Sequence, residues 1–125
     1  MPSATQPKRP SDVLRYEEAE SLYSRDTITL AAGNDLPLGA VLGKITASGK
    51  FTEFAPAASD GSQNAAAVLI VATDASAADV NTVAVTRHAV VARQYLGWKT
   101  GATAPQKSAA EASLTALGIV VRDVA

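Results

Sequence analysis

One histidine, a few loop aspartates and a scatter of arginines and lysines carry whatever chemistry this chain could perform. His88 is its only imidazole. With Asp74, Asp79 or Asp123 to orient it and a serine beside it, it could serve as the base of a nucleophilic site. Asp35, Asp60, Asp74 and Asp79 could offer carboxylate oxygens to a divalent cation. Arg87, Arg93, Lys99 and Lys107 could form an anion or nucleic-acid patch. Each set also has a plainer reading. His88 follows Arg87 at a turn between two strand patterns, and no nucleophile is tied to it by spacing. The aspartates sit in turn-rich loops, where Asp is favoured for local backbone hydrogen bonds, and no EF-hand spacing joins them. The basic residues have only Tyr95 and Trp98 interleaved among them, too few aromatics for a stacking platform. The plainer readings are preferred: no catalytic residue, no metal site and no cofactor are assigned.

Motifs and composition narrow the classes further. The chain lacks GxSxG, GxxxxGK[ST], HExxH and GxGxxG. It has no cysteine, which excludes disulfides, thiolate metal sites and a cysteine nucleophile. Eleven basic against twelve acidic residues leave a net charge of −1, without the basic field of a nucleic-acid binder. No apolar run approaches the ~20 residues that span a bilayer, and the start MPSATQPKRPSD has no apolar signal core. The expectation is an intracellular product with neither nucleic acid nor membrane as partner. Of 125 residues, 26 are alanine and six aromatic. A core of such small side chains buries little area per residue, and oligomerisation would offset that.

The elements that must position these residues are mostly strands. Thr27–Leu30, Ala40–Ile45, Phe51–Phe54, Ala66–Thr73, Val80–Thr86 and Ala89–Tyr95 read as strands separated by turns, with Ile119–Val124 as a last one. Ala66–Thr73 is a continuous apolar run suited to a strand buried on both faces. Strands at roughly 8–12-residue spacing predict a small sandwich or barrel. One helix is expected, with Ser108 and Glu111 as its capping box, Leu114 and Leu117 as anchors and Gly118 as its C′ glycine. Tyr95, Leu96 and Trp98 are candidates for either a cap on the small-residue core or a subunit interface.

Residues 1–25 differ from the β-rich residues 26–125. Pro2, Pro7 and Pro10 fix an extended tail, and Val13–Tyr23 carries only a thin apolar stripe, with four acids within Asp12–Glu20. This segment reads as an arm able to add a strand to a partner's sheet edge. Fixing about ten such residues costs on the order of 10–20 kcal/mol of backbone entropy. Several arms on one oligomer therefore hold better than one.

The ordered set of segments resembles a known family. Leu22–Asp26 followed by TITLAAG, then LPLGAVLGKIT, SGKF, ASDGSQNAAAVLIVAT, VAVTRHAVV and LGIVVRDV is similar to the bacteriophage head decoration proteins of the lambda D type, over about Leu22–Val124. The resemblance implies a mainly β, β-clip-like fold and a homotrimer made in the host cytoplasm. It implies a place on the outer surface of the expanded head at three-fold sites, where the trimer braces the shell against packaged DNA. It further implies that the arm adds to the major capsid protein through Asp12–Thr29. The contact residues would be Asp12, Val13, Leu14, Tyr16, Leu22, Tyr23, Ser24, Arg25 and Thr27. The acidic segment Glu17–Glu20 and the Pro-rich start depart from the shorter members. Two other readings stand beside this one: a trimeric β-clip nucleotide hydrolase, for which neither a catalytic Asp nor a phosphate loop is found, and a tail or fibre component.

Overall fold

The computed structural model describes residues 14–17 and 24–123. Among these, ten strands run in chain order: β1 (Leu14–Glu17), β2 (Arg25–Leu30), β3 (Asn34–Leu36), β4 (Val41–Lys44), β5 (Phe51–Glu53), β6 (Ala65–Leu69), β7 (Thr73–Ala75), β8 (Val80–Val85), β9 (Ala89–Ala92) and β10 (Ile119–Arg122). A 3₁₀ turn, Arg93–Tyr95, and one helix, α1 (Ala104–Ala116), lie between the last two strands. Five strands close a barrel in the order β2-β5-β4-β6-β8; β1, β9 and β10 form a second sheet, and β3 pairs with β7. Of the two architectures the strand pattern allowed, the barrel is the one formed. No described helix is long and apolar enough to cross a membrane.

The alanine-rich composition follows from this closure. A five-stranded barrel encloses little space, so its lining must alternate small and large side chains. Four of the ten residues in the barrel-centred cluster are Ala40, Ala67, Ala75 and Ala84, set among Ile28, Leu30, Leu42, Phe51 and Leu69. A second cluster fills the space outside the barrel wall. It joins Val41, Val68, Ile70 and Val85 to Ala89 and Val91 of β9, Ala110 and Leu114 of α1, and Ile119 of β10. β6 contributes to both, with Ala67 and Leu69 facing one cluster and Ala65 and Val68 the other. A register shift where Leu42 and Gly43 of β4 meet Ala67 and Ala65 changes the phase of alternation. Gly43 is required at that point, because a Cβ there would strike the backbone of Ser62.

Several expectations are corrected. The apolar run Ala66–Thr73 is not one strand. β6 ends at Leu69, Val71 and Ala72 are exposed, and the chain re-enters as β7 to pair with β3. The Thr73 hydroxyl donates to the Val71 carbonyl at 2.8 Å, which closes the corner. β9 stops at Ala92 rather than Tyr95, where the chain tightens into the 3₁₀ turn. The helix starts at Ala104, capped by Thr103 and Gln106, not by Ser108 and Glu111. Thr-x-x-Gln is a capping box in its own right, and Pro105 lies in the first turn, where its missing N–H costs nothing. Leu117 is 39 % exposed at the C-cap, while Ala110, one turn before Leu114, is buried. Gly118 has the positive φ of +83° expected of a C′ residue.

Candidate functional site

The sequence places the expected contact residues on the segment that leads into the barrel, and the structure shows how that segment is fastened. β2 begins at Arg25 and pairs antiparallel with β8, setting Arg25 opposite Val85, Asp26 opposite Ala84 and Thr27 opposite Val83. Ser24, just before it, is fully buried. Its hydroxyl donates to the His88 carbonyl at 2.9 Å, and its carbonyl accepts the Thr86 N–H at 2.9 Å. Asp26 accepts from the Thr86 hydroxyl at 2.8 Å and pairs with Arg87 at 2.6 Å. The Arg87 hydrogen bond, with that from Thr86 next, holds the Asp26 carboxyl below its ordinary value. Thr27 is exposed. The root of the arm is thus tied to the turn between β8 and β9, where the chain passes from the barrel to the second sheet.

That turn is braced from its other side. His88 sits at φ +49°, a left-handed position uncommon for a residue other than glycine. Its N–H donates to the Leu117 carbonyl at 3.4 Å, and the Ala89 N–H donates to the Gly118 carbonyl at 3.1 Å. The Cβ that Gly118 lacks would lie 3.3 Å from the His88 nitrogen. The turn therefore links the arm root to the end of α1 through the His88 backbone, while His88 itself is exposed.

Leu14 and Tyr16 belong to β1, which runs antiparallel to β9 with Leu14 opposite Val91, Tyr16 opposite Val90 and Glu17 opposite Ala89. A bulge interrupts the register between Leu14 and Tyr16. β9 pairs on its other side with β10 over four consecutive residues, Ile119 to Arg122. Asp12, Val13, Leu22 and Tyr23 lie outside the described residues.

The remaining candidates are positioned elsewhere. Leu96 is buried in the outer cluster, and Tyr95 and Trp98 pack against it. Trp98 meets Phe54 edge-on, with ring centroids 6.1 Å apart and planes at 75°, and the Lys107 ammonium stands 6.0 Å from its ring centre. Arg93 bonds Glu111 at 3.0 Å and Asp123 at 2.8 Å, fixing the 3₁₀ turn to α1 and β10. Arg87 and Arg93, read from sequence as half of a basic patch, are thus engaged by separate carboxylates. The aspartates that could orient His88 are also committed: Asp74 to Ser76, Asp79 to Lys50 and Asp123 to Arg93. Asp60 turns onto Ser62 in the same way as Asp74 onto Ser76. Among the described residues no metal-holding group of His, Asp and Glu is gathered. Sequence reasoning missed Asp26, Thr86 and the His88 backbone as the arm's fastening. The opposite charges of Asp26 and Arg87 were visible, but their meeting depends on the β2–β8 register.

This arrangement is a strand-bearing segment clipped to a rigid domain. Residues 3–119 match the family described as Bacteriophage lambda head decoration protein D. The chain belongs to that family. Comparison with curated proteins gives no match. The role of this decoration protein is phage capsid decoration, its place is the virion head, and its family is a structural one rather than a family of enzymes.

Proposed function

We propose that this decoration protein is made in the host cytoplasm and binds as a homotrimer to the outer surface of the expanded head. There it occupies three-fold sites and stabilises the shell against the pressure of packaged DNA, without enzymatic activity. Residues 1–25 form the arm, residues 26–125 the domain it serves, and the partner is the major capsid protein. Asp12, Val13, Leu14, Tyr16, Leu22, Tyr23, Arg25 and Thr27 carry the contact by strand addition, while Ser24, buried and bonded to His88 and Thr86, anchors the segment to the domain.

The observation that carries this reading is β1. It is a strand set apart from the barrel, and the chain that follows it is secured at Ser24 and Asp26. The hydrogen bonds at Ser24 and Asp26 act together and would carry load from a partner's sheet into the barrel. Tyr95, Leu96 and Trp98 cap the outer cluster or meet a neighbouring subunit. Electron microscopy of expanded heads mixed with the protein tests the reading: trimeric density is expected at three-fold sites, with arm density running into the capsid protein. Density on tail structures alone, or single subunits scattered over the shell, would overturn it. Unexpanded shells should stay bare.

A further inference from the structure

We infer that β1 stays paired with β9 when the protein binds the shell, and that its far edge is the preformed surface onto which a strand of the capsid protein adds. The inference rests on the decoration reading above and goes beyond it in saying what the arm does on docking. Strand addition by an arm is ordinarily pictured as an unstructured segment that leaves its own domain and becomes ordered on the partner. The topology here supports another course. β1 is the outermost strand of its sheet among the described residues, with one side on β9 and the other directed away from β10.

The platform beneath it is rigid. Val91, Ala92 and Ile119 are fully buried, and the β9–β10 ladder runs through four pairs without a break. The single register shift of this sheet falls in the β1–β9 ladder. A bulge there twists the outer strand while leaving the platform regular. An edge already ordered on such a platform avoids most of the ordering entropy that a free arm would lose on binding. Release from β9 would instead break ladder bonds at the moment that new ones form.

The occupant is a strand of the shell protein rather than a second copy of this chain. Four residues of edge bury far less than the roughly 1,200 Å² that a stable two-body interface needs. On a shell, the same short contact repeats under many subunits and gains from their effective concentration.

A reversible staple decides the matter. The chain has no cysteine, so Glu17→Cys with Ala89→Cys places one directly opposed pair in the β1–β9 ladder without touching a proposed contact residue. Opposed antiparallel residues have Cβ atoms about 4.5–5.5 Å apart, close enough for a disulfide with slight adjustment. Binding to expanded heads is measured by sedimentation with the staple oxidised and then reduced. The oxidised form should bind within about twofold of the reduced form. A loss of about tenfold or more on oxidation, restored by reductant, would show that β1 must leave β9 and would overturn the inference, with the decoration reading intact. If neither redox form binds while the unsubstituted protein does, the inference is also overturned. Absence of binding by the unsubstituted protein would overturn the decoration reading itself and the inference with it. Should the disulfide not form, hydrogen exchange on the unsubstituted protein gives the answer. The Val90–Ala92 amides should keep their free-state protection on the shell, while the residue 14–17 amides gain protection there. Loss of the β9 protection on the shell would refute retention, and protection of residues 14–17 that rises with protein concentration without shells would assign the edge to a second copy.

Discussion

The Ser24 hydroxyl donates to the His88 carbonyl at 2.9 Å, joining residues 64 positions apart in sequence, with Ser24 fully buried. This bond joins the start of the barrel to the turn between β8 and β9, and the same residue's carbonyl takes the Thr86 N–H. Ser24→Ala removes the hydroxyl and leaves the backbone bond in place. The expected cost is about 1 kcal/mol, the net worth of one buried neutral hydrogen bond. Chemical denaturation should show that loss at an unchanged m-value. A stability equal to that of the unsubstituted chain would mean that the β8–β9 turn does not depend on this tie.

Acid should weaken the same junction. The Asp26 carboxyl is held below its ordinary value of 3.8, first by the Arg87 hydrogen bond and then by that from Thr86. A carboxyl with a lower value folded than unfolded stabilises the fold fully above about pH 5. That contribution is lost as the pH falls through 3.8 toward the folded-state value. Asp26→Asn removes the titrating group, so its unfolding midpoint should be lower than that of the parent at neutral pH and converge with it in acid. Thermal melts between pH 7 and pH 2 give the comparison, and a constant gap across that range would assign the effect to something other than charge.

Much of the fold could be read directly, and the failures have a common cause. Thr27–Leu30, Phe51–Phe54 and Val80–Thr86 match β2, β5 and β8 closely because each is short, rich in β-branched or aromatic residues and bounded by turn residues. The Arg87-His88 turn was legible because the pattern changes phase there. The break after Leu69 was not, since Ile70, Val71 and Ala72 continue the apolar run and only tertiary pairing of β7 with β3 interrupts it. The helix start was misplaced for a local reason: Thr103-x-x-Gln106 and Ser108-x-x-Glu111 are competing capping boxes on one stretch. Glu111 is drawn away by Arg93, a partner 18 positions earlier that sequence spacing does not reveal. The arm's root shows the same limit. Ser24 and Asp26 were marked as contact residues or passed over, while their fastening to Thr86, Arg87 and His88 exists only through strand register.

The two capping boxes can be told apart by substitution. Thr103 accepts the Gln106 N–H through its hydroxyl, and the Gln106 side chain accepts the Thr103 N–H at 2.8 Å. Thr103→Ala should cost about 1 kcal/mol, as loss of an N-cap does. Ser108 lies exposed within the helix, so Ser108→Ala should change stability by no more than about 0.5 kcal/mol. The reverse ranking in urea melts would restore the later start.

Removal of residues 1–23 should separate folding from decoration. Among the described residues, both hydrophobic clusters are drawn from Ile28 onward, and Ser24 with its ties to Thr86 and His88 is retained. The truncated chain therefore keeps these clusters, the barrel strands and the brace at the β8–β9 turn. What it loses is β1, with the edge of β9 that β1 covers. The truncated chain should give a cooperative thermal transition and the same oligomeric state by sedimentation equilibrium. Its midpoint should fall by only a few degrees, since the described part of what is removed is one four-residue strand. If the arm carries the contact as proposed, its occupancy of expanded heads should drop by about a hundredfold or more. Full occupancy by the truncated chain would place the contact on the barrel itself and remove residues 1–23 from the binding surface.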